Sequence, residues 1–394
     1  MKHALAALAI LAALAAAAVL SGLFRAGEPV APAASGPLRI GVSLSLTGRY
    51  AALGEQQHHA FQLWVRQQNA AGGLNGRPVE LVARDDASDP QTARDLYLEF
   101  IRQDRTDFLF APYSSEITRA VAPLAEEHGY PLIASGASAD SLWDAGNTLL
   151  FGLFTPASRY AQGMLEILLK SGVNRLAVIT FPGLFPAEAC HGLRVWAQRL
   201  GMELSFSCRV EGPGLTEAVA AARASGAQAL LVCGYPNDAV AARRAVQAVG
   251  WRPRAFFATV GPSLEAYGKE LGPLAEGGFG SSHWEPDLPY PGTAEFTREF
   301  TLQYGHPPSY QAAGAYAAGQ VLAQAAANAG SLDRRRVAEA LSVLDTTTVL
   351  GPFAVDRRGM QTRHFAVVVQ WQGGRKAVVW PEKLATAEPR FPFP

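Results

Sequence analysis

Residues 108–139 read FLFAPYSSEITRAVAPLAEEHGYPLIASGASA, and this stretch decides the fold class. Phe108-Leu109-Phe110-Ala111 is a short apolar run of the kind that makes a buried strand. A helix is expected from about 116 to 128, and Pro131-Leu132-Ile133-Ala134 forms the next strand. Each strand runs out into small polar residues, Tyr113-Ser114-Ser115 after the first and Ser135-Gly136-Ala137-Ser138 after the second. Short apolar strands alternating with helices of ten or more residues predict an α/β fold built on a mainly parallel sheet.

The alternation extends in both directions. Upstream lie a strand at 38–44, a helix at 54–71, the turn cluster Gly72-Gly73-Leu74-Asn75-Gly76-Arg77-Pro78 and a strand at 79–83. Asp89-Pro90 then opens a helix, because aspartate caps and proline suits the first helical position. Downstream the cycle restarts, with strands at 176–180, 203–210, 229–233 and 254–258 and helices at 188–200, 216–225 and 238–249. Two such runs, parted near 151–157, predict two lobes of similar size. Residues 277–292 look irregular. Helices follow at 293–304 and 310–329, and the stretches 351–356, 365–371 and 377–380 read as antiparallel strands.

Lysine plus arginine equals aspartate plus glutamate at 34 each in 394 residues, so the basic excess a nucleic-acid partner needs is absent. Partners are sought among small molecules and proteins. Residues 1–34 differ in kind: Lys2 is followed by an apolar run at 4–24 and a small-residue exit. That pattern reads as an export signal, with an uncleaved membrane anchor as the alternative. There are three cysteines, so at least one thiol is unpaired within the monomer. Cys233 sits in a core strand pattern, and a Cys190–Cys208 bridge stays open in an oxidising compartment.

Open parallel sheets bind ligands beyond the carboxyl ends of their strands. The helix opening at Ser115-Glu116 offers free N–H groups and a positive dipole end, a seat for a carboxylate. Ser115 adds a hydroxyl donor; the bland alternative is that Ser114 or Ser115 only caps the helix. Ser138 plays the same part on the second loop, where Gly136 lets a ligand approach the backbone. Catalysis has no comparable signal: the chain lacks a Gly-x-Ser-x-Gly elbow, a phosphate loop and a zinc-type His/Glu helix. His58-His59 read as a solvated helix face, and Asp85, Asp86 and Asp89 as a strand-end turn and cap. Trp284-Glu285-Pro286 is either hinge packing or a ligand contact, and the tail at 386–394 ends in Phe391-Pro392-Phe393-Pro394, which reads as disordered or loosely packed on the surface.

Taken together, Ile40-Gly41-Val42 with Leu46-Thr47-Gly48 and Gly54, the cluster at 72–77, Asp85-Asp86-Ala87-Ser88-Asp89-Pro90, the double serine loop, Gly136-Ala137-Ser138 and Gly351-Pro352-Phe353 are similar to a known pattern. The chain resembles the type I periplasmic binding proteins of the branched-chain amino acid (Leu/Ile/Val-binding) class from Leu38 to about Trp380. The resemblance implies two Rossmann-like lobes joined by three hinge crossings, near 153–157, 282–287 and 349–353. It assigns 37–155 plus 285–350 to one lobe and 156–284 plus 351–385 to the other.

The implied activity is non-enzymatic: a periplasmic protein, without cofactor or metal, closes on a small carboxylate-bearing ligand and delivers it to the membrane permease of an ABC transporter. A ligand-sensing receptor using the same clamp is the alternative. Contact with the membrane is then confined to the N-terminal segment. Of the site residues, Ser115 is implied to hold the ligand carboxylate, within the loop Tyr113-Ser114-Ser115. Gly136 offers backbone groups and Ser138 matches a threonine that touches carboxylate and ammonium. Phe185 and Tyr235 match aromatics that close over the ligand, and Leu53 stands where tyrosine is common. One departure matters: Val260 occupies the position of the acid that pairs with an amino acid's ammonium. An ammonium buried without a counter-charge is costly. The expected ligand is therefore a carboxylate with an apolar or aromatic body, unless Glu285 or Asp238 substitutes for the missing acid.

Overall fold

The computed structural model describes residues 36–393, so the expected export segment at 1–34 lies outside the described residues. In the first sheet β1 (Leu38–Leu44) lies between the edge strand β2 (Val79–Asp85) and β3 (Phe108–Phe110), and β4 (Leu132–Ala134) and β5 (Leu150–Gly152) follow beyond β3. All four pairings are parallel. The order β2-β1-β3-β4-β5 reverses direction at β1, the switch point where open α/β sheets form a crevice. Gly41 is needed in β1, because a Cβ there would come within 2.9 Å of both Phe100 and Leu109. Helices Ala51–Ala70 and Tyr310–Ala329 pack as one pair, with Gly319 admitting the Trp64 indole, and Pro90–Arg102 packs against Ser115–Glu127.

The second sheet repeats that topology. Its parallel part runs β7 (Glu203–Arg209), β6 (Arg175–Thr180), β8 (Ala229–Cys233), β9 (Ala255–Ala258), β10 (Phe279–Ser282), the same order as in the first sheet. Two antiparallel strands, β13 (Val367–Gln372) and β14 (Arg375–Trp380), extend it beyond β10. β10 lies in the stretch that reads as irregular. Its Gly/Ser-rich sequence has little strand propensity, but every residue in it is buried, and Gly280 leaves room for Pro262 at 2.9 Å.

The chain passes between the two sheets three times: after β5, after β10 toward the helix Thr293–Tyr304, and after the pair β11 (Thr346–Thr348) and β12 (Gly351–Phe353). The three crossings are tied together. Phe154 stacks on His283 with centroids 4.1 Å apart, Thr155 Oγ1 donates to the His364 carbonyl at 2.9 Å, and Gln361 Nε2 donates to the Leu153 carbonyl at 3.0 Å. His283 Nδ1 and His364 Nε2 are 3.2 Å apart, a contact that needs one N–H and one lone pair. Burial keeps both rings neutral, pushing His364 down to about 3 and His283 well below its ordinary value.

Some local expectations are corrected. The C-terminal tail is not loose: Phe393 is buried, its N–H donates to the Arg254 carbonyl at 3.0 Å, and its ring lies under the Arg243 guanidinium at 4.4 Å and beside Phe256. No Cys190–Cys208 bridge forms; the three cysteines are free thiols. His59 is half-buried and stacks on Tyr304 with centroids 4.0 Å apart, so this part of the helix is packed rather than solvated. Asp89 does cap its helix, accepting from the Thr92 N–H at 2.7 Å.

The histidine pair makes stability depend on pH. Each imidazole is neutral in the fold and gains its proton only on unfolding, so the unfolded chain binds more protons below its ordinary pKa of about 6.5. Stability is therefore full above that value and falls as pH drops toward about 3, by up to about 1.4 kcal/mol per unit for each histidine. Urea midpoints measured between neutral and mildly acid pH should fall accordingly, and His364→Phe should flatten the dependence. An equal pH dependence in that variant would contradict the account.

Candidate functional site

The strand-end loops of the first sheet meet through one hydroxyl. Ser114 is the helix cap, its Oγ accepting from the Ile117 N–H at 3.1 Å. Ser115 does something else. Its Oγ accepts from the N–H groups of Ser138 and Ala139, each at 3.1 Å, and stitches the two loops side by side. Gly136 packs directly on Tyr113, where a Cβ would meet the Tyr113 carbonyl at 2.6 Å. Ser138 Oγ lies 3.1 Å from the Tyr160 hydroxyl.

The second sheet supplies the opposite wall. Phe185 stands in the first turn of the helix Leu184–Arg199, Tyr235 caps the helix Pro236–Ala248, and Val260 follows β9. Phe185 and Tyr235 lie 5.7 Å apart, and Phe185 meets Tyr160 edge-on at 4.8 Å. Between the walls is a narrow, part-open cleft, its water-accessible volume only about 10 Å³ with the rings packed this closely.

Eight expected residues, Tyr113, Ser114, Ser115, Gly136, Ser138, Phe185, Tyr235 and Val260, line this space. Two do not. Leu53 is packed in the core of the first sheet, and the tyrosine that faces across the crevice is Tyr50, 5.5 Å from Tyr113 and 5.0 Å from Tyr235. Glu285 is buried against Lys376, whose Nζ lies 2.9 Å away and also 3.4 Å from Glu265. Burial opposes the Lys376 charge, but the two glutamates outweigh it and hold its pKa above the ordinary value. Trp284-Glu285-Pro286 is thus hinge packing, with Trp284 edge-on to Phe296. Asp238 is committed as well, to the Tyr235 N–H at 2.8 Å and the Arg49 guanidinium at 3.2 Å.

Phe154, Tyr160 and Tyr310 also line the space and went unnoticed in the sequence. A signal existed for Tyr310, since it follows Ser309, which caps the helix Tyr310–Ala329. Phe154 and Tyr160 lie on the first crossing, where only the folded hinge shows which ring points inward.

The electrostatics of this space are one-sided. Among the described residues lining it, none is acidic or basic. Burial raises the pKa of the Tyr113, Tyr160, Tyr235 and Tyr310 hydroxyls, so they stay protonated donors. Four helices begin at its walls, and Ser115, Phe185, Tyr235 and Tyr310 come from their caps or first turns. Four positive dipole ends favour an anion and offer an ammonium no counter-charge. Among the described residues, no group of three or more His, Cys, Asp or Glu is placed to hold a metal.

Two α/β lobes with three crossings and a crevice between their strand ends define a hinged protein of the ligand-enclosing type. The chain belongs to the periplasmic binding protein family, whose model matches residues 37–376. A Leu/Ile/Val-binding protein homolog of Brucella suis is 25% identical over 97% of this chain and 99% of its own length. A leucine binding protein from Thermotoga maritima has the same fold, with TM-score 0.79 and 21% identity over 86% of this chain and 97% of its own. A solute binding protein of an ABC transporter from R. palustris, solved with benzoate, superposes with TM-score 0.76 and 22% identity over 87% of this chain and 96% of its own. Membership implies a place outside the cytoplasm. Among the described residues no helix is long and apolar enough to cross a membrane.

The loop stitch predicts a stability defect that needs no ligand. Ser115→Ala leaves the buried Ser138 and Ala139 N–H groups without their acceptor and should lower unfolding free energy by about 1–3 kcal/mol. Urea denaturation of the ligand-free protein reads this directly; a wild-type midpoint would show that the stitch is not needed.

Proposed function

We propose that this chain is the extracytoplasmic solute-binding component of an ABC importer, enclosing a small carboxylic acid with an apolar or aromatic body and presenting it to a membrane permease. The observation that carries the reading is a cavity walled by tyrosine and serine hydroxyls and four helix N-termini, with no charged side chain in its lining. A carboxylate finds donors there. An ammonium finds none of the acids it needs, because Val260 stands at the expected position and Asp238 and Glu285 are held elsewhere. The benzoate held by the R. palustris relative supports the same chemistry.

In this reading no bond of the ligand changes. The ligand bridges the lobes, favours the shut form by its differential affinity, and the permease senses closure. The moving units are 37–155 plus 285–350 and 156–284 plus 351–385, with the last boundary shifted past Gly359. The stretch after β12 stays attached to the first sheet, since the Gly152 N–H donates to the Gly359 carbonyl at 2.9 Å. Residues 1–34 direct export or tether the protein.

Paired ligands that differ only in the amino group test the proposal. Isocaproate is leucine without its amino group, and hydrocinnamate is phenylalanine without it. Each acid should raise the melting temperature by several degrees at saturating concentration, whereas leucine and phenylalanine should leave it near the ligand-free value. Tighter calorimetric binding of leucine than of isocaproate would overturn the assignment.

A further inference from the structure

Both helices that supply the second lobe's aromatic wall carry an acid three residues beyond the aromatic: Phe185 with Glu188, and Tyr235 with Asp238. That spacing sets both side chains on one side of the helix start. In each couplet the aromatic lines the cavity and the acid reaches past it to the first lobe. Asp238 Oδ2 lies 3.2 Å from Arg49 Nη2, in the turn Gly48–Tyr50 after β1. The Arg49 guanidinium also sits 4.7 Å from the Tyr235 ring centroid and 5.6 Å from that of Tyr50. Glu188 accepts from Ser141, the first residue of the short helix Ser141–Asp144 after β4, from its N–H at 3.1 Å and from its hydroxyl.

Neither carboxylate lines the cavity. Asp238 is held from behind by the Tyr235 N–H at 2.8 Å. Gly234 allows this arrangement, because a Cβ there would come within 2.7 Å of the Asp238 Cβ. The acid is thereby fixed before it meets Arg49, which lowers the entropy lost on pairing. Both contacts run between lobes, so opening the hinge breaks them and spares each lobe's core. The Arg49–Asp238 pair is part-exposed, with side-chain exposures of 42% and 18%. A pair of that kind is modest in strength and weakened by salt, as a contact that must release requires.

We propose that Arg49–Asp238 and Ser141–Glu188 are closure clasps, positioning contacts that hold the lobes shut and set the dwell time of a bound ligand without touching it. The inference rests on the binding reading above and divides its affinity in two. The cavity hydroxyls and helix termini choose the ligand, and the clasps add a part common to every ligand that fits, by favouring the closed state.

Two measurements on the exported chain test this: dissociation of isocaproate by stopped flow, and the radius of gyration of the ligand-free protein by X-ray scattering. Arg49→Ala should speed dissociation roughly 3–10-fold, with Arg49→Lys recovering part of the loss because it keeps the charge and loses the stacking. Ser141→Ala should act in the same direction, with the Leu184–Arg199 helix untouched, and it serves alone if Arg49→Ala does not fold. High salt should speed dissociation from wild type more than from Arg49→Ala. Each variant should scatter as a more open molecule without ligand.

If isocaproate leaves every variant at the wild-type rate and scattering is unchanged, the clasps are refuted while the binding reading stands. If wild type binds no acid, the binding reading falls and the ligand-free scattering decides the clasps: a larger radius in the variants supports them, and an unchanged one refutes them.

Discussion

In a parallel α/β sheet each helix begins near the end at which its preceding strand stops, so free N–H groups gather along one edge. In this protein two such edges face each other. The helices starting at Ser115, Leu184, Pro236 and Tyr310 all open at the same narrow space. Their first-turn N–H groups lack partners within their own helices, and water is largely excluded from the closed cleft. Capping satisfies part of the demand, as Ser114 and Ser309 do for their helices. The remaining positive potential is a standing invitation to an anion, and much of the site's chemistry follows from it.

Charge is handled in a consistent way around that space. Ionised side chains near the hinge are paired away from the cavity: Glu285 with Lys376, and Asp238 with Arg49. The histidines packed against the cavity's aromatic wall are neutral and joined to each other. What remains inside is hydroxyl, aromatic face, one glycine and one valine. A lining of this kind discriminates by what it lacks. A carboxylate is served by donors from several directions, whereas an ammonium would have to give up its water with only hydroxyl oxygens and carbonyls in return.

The hinge joins these features mechanically. Phe154, Thr155, His283 and His364 come from all three crossings and pack as one cluster, with Tyr160 and Tyr310 against it. Phe154, Tyr160 and Tyr310 also line the cavity. Ligand-facing rings thus belong to the joint itself, and farther out Arg49 lies over the Tyr235 ring, a contact from one lobe to the other.

Strand-helix alternation, the two serine loops and the absence of charge at Val260 were legible in the order of residues, because period, turn chemistry and caps are local properties. The resemblance brought Ser115, Ser138, Phe185 and Tyr235 to one site, and the coordinates place all four around one space. β10 was not legible: Gly and Ser become a strand there only because β9 and β13 flank them. Leu53 and Glu285 were misplaced for a related reason. A helix turn's difference in register sends Leu53 into the core and leaves Tyr50 facing the crevice, and a lysine 91 residues away claims Glu285. The sequence by itself thus determined which elements form and which chemistry their ends carry, since both depend on near neighbours along the chain. Which rings and charges face the ligand was decided only by tertiary packing, which brings together groups far apart in sequence and lets the most favourable burial choose among them.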